Sequence, residues 1–387
     1  MAAEHDVRTA VLVVHGMGEK RPMETFDGFV RTALNPADGT WDHHPRPAEV
    51  TDTYEARRYA APRQGTEFYE YHWQYLMTTD RYAGVAPTAL RLFLRRPSNV
   101  PDSLLGIWRL AWTVVLAALL VIPVLFVSGY ALNSDVPGWI IGLTVSAVVL
   151  IFWFGLYRLL ARALVNTKTA PLVDSVRYLD PTPFSYAARR AIRGGLVDLL
   201  RTLHDDGYTR IVVAAHGVGA YFAYDALTLF WAQAQDRDGQ KKPWCITDFI
   251  TVGAPLSLAD LVLTRPSLLS GLKPSDGAVR RELFEGLLRR GVLVGCPPET
   301  EPDIGRSPFT ATRWTNLWFP VARGSRSGDW FGGELGRLFG AGIHDVAVTG
   351  NAPERFKRGS AHTEYFSHPD KDAEGDFAWH LRRTLAL

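Results

Sequence analysis

Arg210-Ile211-Val212-Val213-Ala214-Ala215-His216-Gly217-Val218-Gly219-Ala220-Tyr221-Phe222-Ala223-Tyr224-Asp225-Ala226-Leu227 is the stretch whose reading decides the fold. Its first part is a short β-branched run, the pattern of a strand buried on both faces. Its last part has helical composition, and a Gly-flanked turn joins the two. Strand, sharp turn and helix, with the pattern small–x–Ser–x–Gly, present an attacking hydroxyl for acyl transfer. Here Ala215 and Gly219 take the outer positions, and Gly217 stands where the serine belongs. The turn is that of a nucleophile, without the nucleophilic atom.

The surrounding chain has the alternation of a parallel sheet. Thr9-Ala10-Val11-Leu12-Val13-Val14 has too few polar residues for a wet face and predicts a central strand. It ends in His15-Gly16-Met17-Gly18-Glu19, and a helix follows through Phe26–Arg31. Residues 34–64 are rich in Pro, Asp, Gly and His and read as loop, including the adjacent His43 and His44, too few to hold a metal without further ligands. Strands are expected at Thr66–Trp73, Asp248–Leu256, Trp314–Val321 and Val346–Val348. Helices are expected at Tyr75–Arg96, Tyr186–His204, around Ala278–Arg290 and at Gly375–Leu385. The expected class is α/β, a mostly parallel sheet with helices on both faces.

Composition narrows the function. The 387 residues carry 42 Lys and Arg against 40 Asp and Glu, a net charge of +2, so no basic excess points to nucleic acid. Two cysteines make no disulfide framework and fit a reducing compartment. The N-terminal residues lack the basic and apolar segments of a signal peptide. Two apolar runs stand apart. Leu110–Leu132 has no charge across 23 positions and Val136–Tyr157 none across 22, each long enough to cross about 30 Å of hydrocarbon as a helix. Trp108, Trp112, Tyr130, Trp139 and Tyr157 lie near their ends. The expectation is an inserted transmembrane hairpin over 104–165. It divides the main domain into 1–100 and 166–387. Arg91, Arg95, Arg96 and Arg109 precede it and Arg158, Arg162 and Lys168 follow it, which places the main domain on the cytoplasmic side of the inner (plasma) membrane.

Acyl transfer on such a sheet orders its residues as nucleophile, acid, histidine. Asp329, just past the strand ending at Val321, is the first choice for the acid and Asp345 its rival. For the histidine, His362 fits best, ahead of the last helix, with His368, His344 and His380 as alternatives.

The His-Gly-Met-Gly-Glu loop, the Ala-His-Gly-Val-Gly turn, Val252-Gly253-Ala254-Pro255-Leu256, Trp314-Thr315-Asn316, Gly328-Asp329 and His362-Thr363-Glu364-Tyr365 together resemble bacterial lipase/esterase-type α/β-hydrolases, some of which carry a membrane hairpin. The resemblance covers most of the chain outside 100–170. It implies oxyanion-hole N–H groups from Met17 and Val218, and Asp329 orienting His362. It implies no cofactor and an acyl or lipid-like ligand. Gly217 is the departure from the family, and three readings follow from it: a pseudoenzyme that binds a ligand or partner through the old pocket, an esterase or lipase whose serine has been replaced, or a hydrolase using another nucleophile such as water activated by His362. In each, Nε2 of His362 is expected to point at the Gly217 α-carbon across a gap the size of a hydroxymethyl group.

Overall fold

A computed structural model describes residues 8–16, 23–34, 44–61, 65–77, 183–235, 243–258, 293–298, 307–321, 328–348, 360–367 and 373–386, with scattered positions between 94 and 119 and at 178, 286 and 288. Among these, eight strands form one sheet: β1 (Thr9–Val14), β2 (His44–Val50), β3 (Glu55–Ala61), β4 (Thr66–His72), β5 (Arg210–His216), β6 (Ile246–Val252), β7 (Arg313–Trp318) and β8 (His344–Ala347). Their spatial order is β2-β3-β4-β1-β5-β6-β7-β8. From β4 to β8 every pair is parallel, while β2 and β3 form an antiparallel extension. The expected α/β class and mostly parallel sheet are present. Strands from before and after the apolar runs meet at the β1–β5 pair, where Thr9–Val14 lies in register with Arg210–Ala215.

Alternation along the central strands divides the core. Leu12, Val14, Ile211, Val213 and Ala215 face α2 (Pro183–Asp205) and α3 (Gly219–Gln235), against Leu196, Leu200, Phe222 and Leu227. Val11, Val13, Val212 and Ala214 face the other side, against Phe26, Phe29 and Val30 of α1 (Glu24–Leu34). The C-terminal helix, numbered α5 below (Phe377–Leu385), adds Phe377, Leu381 and Leu385 to that side. All six residues of β1 are buried, which is why that strand is apolar in every position but Thr9 at its start. A short helix, α4 (Gly336–Phe339), lies between β7 and β8.

One expectation is corrected. The segment read as loop over 34–64 contains the β2–β3 hairpin, in which His44 pairs with Ala60 and Val50 with Glu55. Pro45 and Pro47 are tolerated because β2 is the outermost strand and needs ladder donors on one side only. The strand is almost wholly exposed, so no apolar period betrays it. The helix expected from Tyr75 is a short 3-10 turn over Gln74–Met77 as far as it is described. Most of the helix expected around Ala278–Arg290 lies outside the described residues. So does almost all of the hairpin expected over 104–165, and among the described residues no helix is long and apolar enough to cross a membrane.

Candidate active site

The carboxyl ends of β1, β5, β6 and β7 bring the candidate residues together. At the end of β5 the chain turns through Gly217 with φ +54, a left-handed conformation that costs a residue with a side chain about 1–3 kcal/mol. The Gly217 N–H bonds the Val252 carbonyl at 3.0 Å, tying the turn to β6. The helix α3 starts two residues later. Val218 precedes it, so the Val218 N–H has no partner within the helix and belongs to the electropositive helix start. Close approach of α3 to β1 requires Gly219: a Cβ there would lie 2.2 Å from the Val14 carbonyl oxygen and 2.8 Å from that of His15.

Asp329 and His362 meet across 33 residues of chain. The Nδ1–H of His362 faces both carboxylate oxygens, at 3.2 and 3.1 Å. Asp329 is fully buried and also accepts from the Phe331 N–H (2.9 Å) and the Tyr365 hydroxyl (2.8 Å). Burial alone opposes its ionisation. The charge and hydrogen bond of His362, with the other two donors, outweigh that penalty and hold its pKa below the ordinary carboxylate value. In the neutral form of the ring, an ionised Asp329 holds the His362 proton on Nδ1, and the lone pair is then on Nε2. Nε2 is aimed at Gly217: a Cβ built there would lie 3.1 Å from it. The expected direction is found. The imidazole stands closer than a hydroxymethyl group needs, by a few tenths of an ångström.

The rival acid is engaged elsewhere. Asp345 lies within β8 and accepts from Asn316 Nδ2 (2.7 Å) and from the N–H groups of Leu335 and Gly336, capping the start of α4. His344 is exposed at the head of β8, and His380 lies within α5. His368 and Met17 lie outside the described residues. Gly16 is described, and its α-carbon lies 3.6 Å from the position of a Gly217 Cβ, so the loop after β1 does border the turn.

Two site residues carry no sequence signal that assigns them a role. Tyr365 donates to Asp329 and accepts from the Phe319 N–H at 3.1 Å, bracing the carboxylate against β7. His216 stacks on His362, with ring centroids 5.1 Å apart. Its Nε2 lies 3.0 Å from the His362 carbonyl oxygen, which can only accept, so Nε2 carries the proton. Burial and the nearby His362 lower its pKa to about 3, and it stays neutral. Tyr365→Phe would remove the hydroxyl that accepts from the Phe319 N–H and donates to Asp329. It is expected to cost about 1–3 kcal/mol of stability, read from urea unfolding at neutral pH.

His15 sits fully buried at the end of β1, stacked on Trp73 with centroids 5.4 Å apart. Burial lowers its pKa to about 4. The unfolded chain takes up this proton near pH 6.5. Folding therefore keeps its full stability above that value and loses it as the pH falls towards 4. The loss expected from His15 is about 3 kcal/mol over that window. Urea melts between pH 7 and 4 measure it, and His15→Gln is expected to flatten the slope.

No family model, characterised protein or solved structure matches the chain. The arrangement itself therefore carries the functional argument. It is a buried carboxylate, an imidazole with one nitrogen free, and a helix start, converging on a glycine.

Proposed function

We propose that the chain is an α/β-hydrolase-type protein of lipase or esterase kind, disarmed for covalent acyl transfer by Gly217 and retaining the rest of the site for an acyl or lipid-like ligand. The observation that carries this reading is the line from Asp329 through His362 Nε2 to the position a Gly217 Cβ would occupy. An imidazole so oriented is a general base for a hydroxyl at that place, and none is present. The Val218 N–H at the start of α3, with the loop after β1, is the corresponding donor set for an oxyanion. In this reading Asp329 orients His362, while Tyr365 and His216 position the pair. No step calls for a metal or a cofactor.

The apolar runs Leu110–Leu132 and Val136–Tyr157 are proposed as a two-span anchor in the inner membrane, with the sheet domain cytoplasmic. The site reading is tested by assaying the unmodified chain and Gly217→Ser on short and long acyl esters. The unmodified chain is expected to be inert and the variant active. Robust hydrolysis by the unmodified chain, abolished by His362→Ala, would overturn the disarmed reading in favour of a water nucleophile.

A further inference from the structure

Met77 and Tyr178 bracket the stretch of sequence that holds both apolar runs. Its two described anchors converge on one side chain. Trp73, just before that stretch, donates its indole N–H to the His15 carbonyl at 3.1 Å and packs edge-on to Phe222, with centroids 4.5 Å apart. Tyr178, at its end, packs on the same Phe222 at 4.7 Å and donates to Asp225 Oδ2 at 2.6 Å. Phe222 lies in the first turn of α3, directly behind Gly217 and Gly219. Both ends of the insertion are thus fastened at the edge of the sheet that carries the candidate site.

The two edges of the sheet differ in chemistry. The far edge, where the parallel strands begin, carries the ion pairs of Arg58 with Glu67 (2.9 Å) and of Arg210 and Arg313 with Asp248 (2.9 and 2.5 Å), while one further pair, Arg57 with Glu70 (3.0 Å), lies nearer the site edge. The site edge carries exposed aromatic groups. Tyr75 follows β4 and is 46% exposed, and Tyr186 is 50% exposed. Tyr186 lies six residues before Ile192, whose carbonyl accepts from Tyr71 near the end of β4. It therefore stands about 9 Å beyond that end along the helix axis. Arg189 lies over its ring at 5.6 Å and Arg190 beside it is exposed, the pairing of aromatic and cationic groups found at membrane surfaces. Leu116 and Leu119, in the first apolar run, are 52% and 49% exposed. The remaining exposed large apolar group among the described residues, Val50, lies on the outermost strand.

We infer that the site edge faces the bilayer in which the two apolar runs are anchored, and that the ligand is a membrane-resident acyl amphiphile taken from that leaflet rather than from bulk water. The orientation follows from the tether. Twenty residues separate Tyr157 from Tyr178. Even a wholly flexible link of that length has a typical reach of about 25 Å, close to the height of the sheet, so it holds the Tyr178 edge nearer the bilayer. Charge segregation points the same way, because the ion pairs of the far edge would lose hydration against lipid. The choice of ligand rests on the proposed site reading, and the orientation on the proposed two-span anchor.

The test uses the full chain in phosphatidylcholine/phosphatidylglycerol vesicles, with an environment-sensitive fluorophore on Tyr75→Cys, Tyr186→Cys or Arg313→Cys. Cys245 and Cys296 are buried, so labelling is directed to the introduced thiols. Lipids carrying a quencher are expected to dim the labels at 75 and 186 about twofold or more and to leave that at 313 unchanged. Equal quenching at all three positions, quenching at 313 alone, or none anywhere in a chain that floats with the vesicles would overturn the orientation; a chain that does not float with them would overturn the anchor, and the orientation with it. In a second arm, Gly217→Ser is given a long-chain ester in its own vesicles or in separate ones, and a soluble short ester. Turnover confined to the first of the two long-chain arrangements supports uptake from the leaflet. Activity on the soluble ester with none on the ester in its own vesicles would overturn that uptake and leave the site reading standing. Silence on every ester with the rim labels quenched would overturn the site reading, and the ligand choice with it, and leave the orientation standing.

Discussion

Gly217→Ser is expected to raise ester hydrolysis by about 10⁴-fold or more over the unmodified chain. Where a triad is complete except for its nucleophile, the missing hydroxyl accounts for about 10⁶ in kcat, because nucleophile and base act as a unit and the oxyanion donors alone leave only a residual rate. Two local costs reduce the gain. Backbone φ at position 217 is +54, which a serine tolerates at about 1–3 kcal/mol, and the buttressing bond to Val252 must hold it there. The His362 ring must also retreat, since a Cβ would stand 3.1 Å from Nε2. Neither requires the fold to change. His362→Ala or Asp329→Asn added to Gly217→Ser is expected to remove most of the gain, the latter by about 10⁴ because the imidazole loses its orienting acceptor. Initial rates on a chromogenic short acyl ester measure all four proteins.

Gly219→Ala is expected to destabilise the chain by about 3 kcal/mol or more, an unusual cost for one methyl group. The methyl would meet backbone, not a side chain that could swing aside: the Val14 oxygen at 2.2 Å and the His15 oxygen at 2.8 Å. Relief requires α3 to move away from β1, which loosens Phe222 and its partners Trp73 and Tyr178. Gly194, within α2, is the control. Nothing lies within 4 Å of its added Cβ, and Gly194→Ala is expected to stabilise by about 0.5–1 kcal/mol through helix propensity alone. Urea midpoints of the two variants should move in opposite directions.

The sequence was most legible where one physical demand fixed the residue type. Central strands must be apolar along the length that is buried on both faces, and Ala10–Val14 of β1 and Ile211–Ala215 of β5 are. A sharp turn against a neighbouring strand needs glycine, and Gly217 and Gly219 mark it. The order of turn, acid and histidine then led to Asp329 and His362, which do meet. Other parts were opaque for reasons equally physical. The β2–β3 hairpin is held by ladder bonds at the sheet margin, not by buried apolar groups, so its prolines and charges read as loop. Tyr365 acts through two hydrogen bonds and His216 through one, all to groups distant in sequence, which no local pattern encodes. Position in the chain favours Asp329 over Asp345, and their donors separate them further: an imidazole, a hydroxyl and one backbone N–H for Asp329, a side-chain amide and two backbone N–H groups for Asp345.

The measurement closest to the central claim is the intact mass of Gly217→Ser after treatment with a fluorophosphonate, which labels only a serine activated by a neighbouring base and oxyanion donors. One adduct, mapped to position 217 and lost when His362→Ala is added, is the result the retained frame predicts. A folded Gly217→Ser protein that takes no adduct would contradict it.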